Sequence, residues 1–154
     1  MIIWVDADSC PKRVREIICR AAERTGVTAR FVANRNIPLP KGCYRESVIS
    51  DDADAHILAA VSQEDLVVTR DIPLAAKIVE REVCVMNDRG TRYTHENIGE
   101  RLSVRDYMKD LRESGAVLSS NDQFGRPERA AFAATFDREL TRLLARSSAQ
   151  GQQQ

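Results

Sequence analysis

The first ten residues, M-I-I-W-V-D-A-D-S-C, constrain this chain more than any other stretch. Ile2 to Val5 are uninterruptedly apolar, and the run stops at Asp6. An apolar run of that length bounded by polar residues suits a strand buried on both faces, as in a parallel sheet. The pattern recurs at residues 66–69, which end at Arg70-Asp71, and at residues 83–86, which end at Asn87-Asp88. Between the runs lie helix-like stretches. Val14, Ile17, Ile18, Ala21 and Ala22 form one face after Pro11, with Gly26 as the stop. Residues 28–33 and 44–49 read as further strands, a helix follows Asp54, and another follows Pro73. Alternation of this kind predicts a three-layer αβα sandwich with a mostly parallel five-stranded sheet and Ile2 to Val5 at its centre.

The last third reads differently. A helix is predicted from Ser103, with Asp106 as an approximate capping partner, then a polar loop over residues 114–127. A long helix follows, carrying Phe132, Phe136, Leu140, Leu143 and Leu144. Residues 1–146 are expected to form a single domain, with 147–154 as a disordered C-terminal tail.

Charge narrows the range of functions. Lys plus Arg and Asp plus Glu number 23 each, so any basic surface is local rather than global. The absence of an 18-residue apolar run argues against a membrane helix, and the start reads directly as a strand rather than a secretion signal. The expected location is the cytoplasm. Cys10, Cys19, Cys43 and Cys84 form no C-x-x-C pair and lie away from His56 and His95 in sequence, so a structural zinc site is not expected. Trp4, inside the first strand, is read as core.

The chemistry lies at the strand ends. Ligands of open α/β sheets sit at the carboxyl ends of the strands. Asp6 and Asp8, then Asp51, Asp52 and Asp54, then Asp71 and Asp88 all follow apolar strands and are expected on one edge. A single aspartate there suits a helix cap. Several together repel unless a cation or a proton intervenes, and hard carboxylate oxygens are what Mg²⁺ or Mn²⁺ requires. Asp6, Asp54 and Asp71 are therefore the candidate metal ligands, their carboxylates expected to converge. Asp8 joins them as a candidate catalytic acid, and Asp51, Asp52, Thr69 and Asp88 are supporting residues. Lys12, Arg13, Arg35 and Arg70 are the candidate phosphate contacts, because their loops fall at the same edge and guanidinium groups bind phosphate bidentately.

The stretches W-V-D-A-D-S-C-P, S-D-D-A-D-A-H-I-L and L-V-V-T-R-D-I-P-L-A, with the later G-T-R-Y and F-D-R-E-L, resemble the signatures of the uncharacterised bacterial YaiI/YqxD family. That family is in turn similar to PIN-domain nucleases. Asp6, then Asp54 with Ala55, Ile57, Ala59 and Ala60, then Asp71 after Val67, Val68 and Thr69 match the three PIN signatures. The resemblance implies a PIN-like domain with a metal-dependent nuclease site for single-stranded RNA or DNA. It lacks the usual PIN glutamate from an intervening helix, for which Asp51 or Asp8 would have to stand in. Two other readings stay open. One is a non-catalytic PIN-like domain that binds nucleic acid or protein. The other is a haloacid-dehalogenase-like phosphatase with Asp6 and Asp8 as its D-x-D pair and Thr69 and Lys77 in the later roles. The oligomeric state is not legible.

Overall fold

A run apolar on both sides has to be covered on both sides, and the computed structural model, which describes residues 1–115 and 123–151, places the first strand accordingly. The elements are β1 (Ile2–Asp6), α1 (Lys12–Thr25), β2 (Thr28–Ala33), β3 (Arg45–Ile49), α2 (Ala53–Ala60), β4 (Leu66–Val68), α3 (Ile72–Glu80), β5 (Cys84–Met86), β6 (Arg92–Tyr93), α4 (Ile98–Glu113) and α5 (Arg126–Gly151). The sheet runs β3-β2-β1-β4-β5-β6, with β1 internal. All pairs are parallel except the last, β5 with β6.

Two apolar clusters fill the layers on either face. One contains Ile3, Val5, Val14, Ile18, Phe31, Met86, Phe132, Phe136 and Leu140, so α1 and α5 cover that face. The other contains Trp4, Val32, Ile57, Val67, Leu74 and Ile78, so α2 and α3 cover the second. α4 packs outside α3 and buries no residue fully. Trp4 is 1% exposed and donates its indole N–H to Asp65 at 2.9 Å, which fixes it as core.

The structure corrects several expectations. The sheet has six strands rather than five. The added β6 is two residues long, too short for any periodicity to reveal. β3 begins at Arg45 because Tyr44 is left-handed, with φ of 57°. α4 begins at Ile98 rather than Ser103. Thr94 and Asn97 explain the early start. The Thr94 N–H donates to Asn97 Oδ1 at 2.8 Å and the Asn97 N–H to Thr94 Oγ1 at 3.3 Å, a reciprocal pair that starts a helix as a capping box does. α5 runs to Gly151, so residues 147–151 are helical instead of tail. The expected loop at 114–127 falls partly outside the described residues, as do residues 152–154. One close approach fixes α5: Gly90, with φ of 85°, lies where an added Cβ would come within 2.4 Å of the Ala131 carbonyl oxygen.

Candidate active site at the carboxyl edge of the sheet

The chain leaves β1 toward β2 on one side and later places β4 on the other. The strand order therefore reverses at β1, and a crevice opens beyond its carboxyl end. Register decides what meets there. Val5 is level with Val68, so the next residues, Asp6 and Thr69, are neighbours. The Thr69 hydroxyl donates to Asp6 Oδ2 at 2.9 Å and accepts the Asp71 N–H at 3.0 Å. Asp71 caps α3, its Oδ1 accepting the Leu74 N–H at 3.0 Å. Asp52 caps α2 through the Ala55 N–H at 3.0 Å, which places Asp54 in the first turn of that helix. Asp8 turns to the Asn34 N–H at 3.1 Å.

Asp6, Asp8, Asp51, Asp52, Asp54 and Asp71 all line one open groove of about 620 Å³. Asp54 and Asp71 stand near each other on that groove, where like charges repel. Burial first, then the neighbouring Asp71 carboxyl and the charges of Asp6 and Asp52, push Asp54 up to about 7. Asp6 is also raised. Burial is the main cause, opposed by the bond from Thr69 and reinforced by the charges of Asp71 and Asp8. Asp6, Asp54 and Asp71, expected to converge, all line this groove and act on one another electrostatically. Among the described residues no three His, Cys, Asp or Glu side chains are placed around one metal ion.

A consequence for stability follows. A carboxyl whose folded pKa lies above its unfolded value binds its proton more tightly in the native state. The stabilisation from Asp54 is full below about pH 4 and is lost as pH rises through about 7. Melting wild type and Asp54→Asn in chelator from about pH 4 to about pH 8 checks this. The variant is expected to gain about 1–2 kcal/mol on wild type across that range, after discounting for solvent in the groove. A pH-independent difference would mean that Asp54 ionises as an ordinary carboxyl.

The remaining candidates are distributed as follows. Thr69 stands between Asp6 and Asp71. Arg70 lines the groove and holds Asp88 at 3.6 Å, while Asp88, 3% exposed, lies off the groove wall. Lys12 opens instead onto a small cavity beside Pro38 and Leu39, and Arg13 pairs with Glu16 at 3.2 Å. Arg35 is exposed and does not line the groove. Arg105, from α4, does line it, and the sequence reading missed it. Its position depends on how α4 packs against α3, for which local sequence carries no signal.

An αβα sandwich with an acidic groove at the reversal point of its sheet defines the class of the molecule. The chain belongs to the YaiI/YqxD family, described as Uncharacterized BCR, whose model matches residues 4–142. It is 52% identical over 148 residues to a UPF0178 protein of Treponema pallidum, covering 94% of this chain and 84% of that one. A UPF0178 protein of Myxococcus xanthus is 49% identical, with 94% and 97% covered. One of Halorhodospira halophila is 46% identical over 155 residues, with 98% and 100% covered. No solved structure matches the chain. No described helix is long and apolar enough to cross a membrane.

Proposed function

We propose that the chain is a Mg²⁺- or Mn²⁺-dependent phosphodiesterase acting on single-stranded RNA or DNA. The observation that carries this reading is the groove at the strand reversal, which Asp6, Asp54 and Asp71 line together. Such a donor set, all hard oxygen, suits a divalent cation, which would relieve the repulsion among these carboxylates. Asp6, Asp54 and Asp71 would hold it, with Asp8, Asp51 and Asp52 assisting. The chemistry supplied by a bound cation is neutralisation of charge on a phosphoryl group. This chain's own residues do the rest. Thr69 orients Asp6 and the backbone before Asp71. Arg70 and Arg105 offer phosphate contacts on the groove wall. An open groove admits an extended strand, and the PIN-like signatures at the same three acids point the same way.

The absence, among the described residues, of three acids set around one ion favours a second reading: a PIN-like module that binds nucleic acid or protein without cleaving it. The phosphatase reading is weakened, since Lys77 is exposed on α3 and off the groove, and Asp8 is turned to Asn34.

Incubation with end-labelled single-stranded and duplex oligonucleotides in Mn²⁺, Mg²⁺ or chelator tests the proposal. The expected result is cleavage of single strands that stops in chelator. Mn²⁺ is also expected to raise the melting temperature, since a ligand bound only by the folded state stabilises it. Strand binding without cleavage, and without a Mn²⁺-dependent shift, would leave the binding module instead.

A further inference from the structure

A second cavity, of about 270 Å³, opens at the opposite end of the strands, between the start of β5, the end of β6 and the C-terminal half of α5. Arg92, Arg142 and Arg146 stand on its wall, with Glu82 as the one acid there, and Glu82 is engaged by His95 at 2.9 Å. Beneath the wall lies Glu139, 3% exposed, paired with Arg92 at 3.3 Å and Arg142 at 2.9 Å. Two features exceed what that buried network needs. Arg146, one helical turn beyond Arg142 on the same face, has no carboxylate partner among the described residues. Arg92 Nε is buried without an acceptor among them. Three guanidinium groups against Glu82 and Glu139 leave the cavity with a surplus positive charge even when His95 is neutral. Gln63 and Thr94 add neutral hydrogen-bonding groups to the wall.

We propose that this cavity binds a phosphate monoester. Forked guanidinium donors match the oxygens of a dianionic phosphate, and three of them stand on this one half-open cavity. Glu139 holds Arg92 and Arg142 extended in advance, so little side-chain freedom is lost on binding. The site is independent of the acidic groove, which lies beyond the other ends of the strands. The phosphate is carried either by a small metabolite or by the 5′ end of a nucleic acid.

Calorimetric titration and melting of the full chain with inorganic phosphate, against chloride of equal ionic strength, test this. Phosphate at roughly ten times its Kd is expected to raise Tm by about 3–5 °C where chloride does not. Arg146→Ala, which spares the Glu139 network, is expected to weaken binding about tenfold, and Arg146→Lys to restore part of it. Arg24→Ala, at an exposed ion pair with Asp137 away from both sites, is expected to leave phosphate binding intact. A 5′-phosphorylated dinucleotide that binds more tightly than both inorganic phosphate and its 5′-hydroxyl counterpart identifies a chain end as the source. Equal or weaker binding identifies a small phosphate. No preference of phosphate over chloride, or a loss caused by Arg24→Ala and not by Arg146→Ala, overturns the proposal.

Discussion

Replacing Asp6 by asparagine is expected to slow single-strand cleavage by about a hundred- to a thousandfold, the range seen when one preorganised electrostatic group is removed. The substitution keeps the shape of the side chain and an oxygen to accept the Thr69 hydroxyl, so the local geometry is retained. What disappears is a negative charge that burial and the neighbouring Asp71 and Asp8 already disfavour. The variant is therefore expected to melt no lower than wild type in chelator at neutral pH, and to need more Mn²⁺ for the same thermal shift. Single-turnover rates together with Mn²⁺ melting curves separate lost chemistry from lost folding. A rate within about threefold of wild type, well short of the loss such a group carries, would remove Asp6 from the reaction.

A large effect on stability is expected at the other end of the same strand. Asp65 is 3% exposed and accepts three donors: the Ile2 N–H at 2.8 Å, the Trp4 indole N–H at 2.9 Å and the Ser62 N–H at 2.9 Å. Asp65→Ala strands these donors beside the central strand. Each unmet buried donor costs about 1–3 kcal/mol, so the loss is expected to be about 3–5 kcal/mol, allowing for some relaxation. Asp65→Asn, which keeps one acceptor oxygen, is expected to lose about half as much. Urea unfolding measures both. A loss below about 1 kcal/mol for Asp65→Ala, the scale of one replaceable hydrogen bond, would mean that water takes the place of the carboxylate.

Asp65 also marks where reading a sequence stops. The apolar runs were legible because a strand buried on both faces needs them, and each run's end is visible as a charge. Hence Asp6, Asp54 and Asp71 are found from sequence, and the groove unites them. Asp65 sits just before β4 and looks like any polar loop residue. Only the fold brings it under Trp4. Arg105 was missed for the same reason, since nothing local tells which face of α4 turns to the groove. Lys12 and Arg13 lie near the first strand's end in sequence, yet the turn into α1 carries them off the groove wall. The Thr94–Asn97 pair is a weak signal in sequence, because Asn replaces the usual Glu or Gln of a capping box. The helical extension to Gly151 runs over S-S-A-Q-G, which has neither an apolar stripe nor a run of strong helix formers to announce it.

The position of α5 governs the order in which the molecule can be completed during synthesis. The face sealed by α2 and α3 needs nothing after β6 for its buried members, so it can close while the chain is still growing. The face carrying Ile3 and Val5 cannot close, because Phe132, Phe136, Leu140 and Leu143 have yet to be made. A nascent chain therefore carries one closed side and one sticky side until α5 emerges from the ribosome. That interval is when it is most exposed to chaperones and to self-association, and the arrival of α5 ends it.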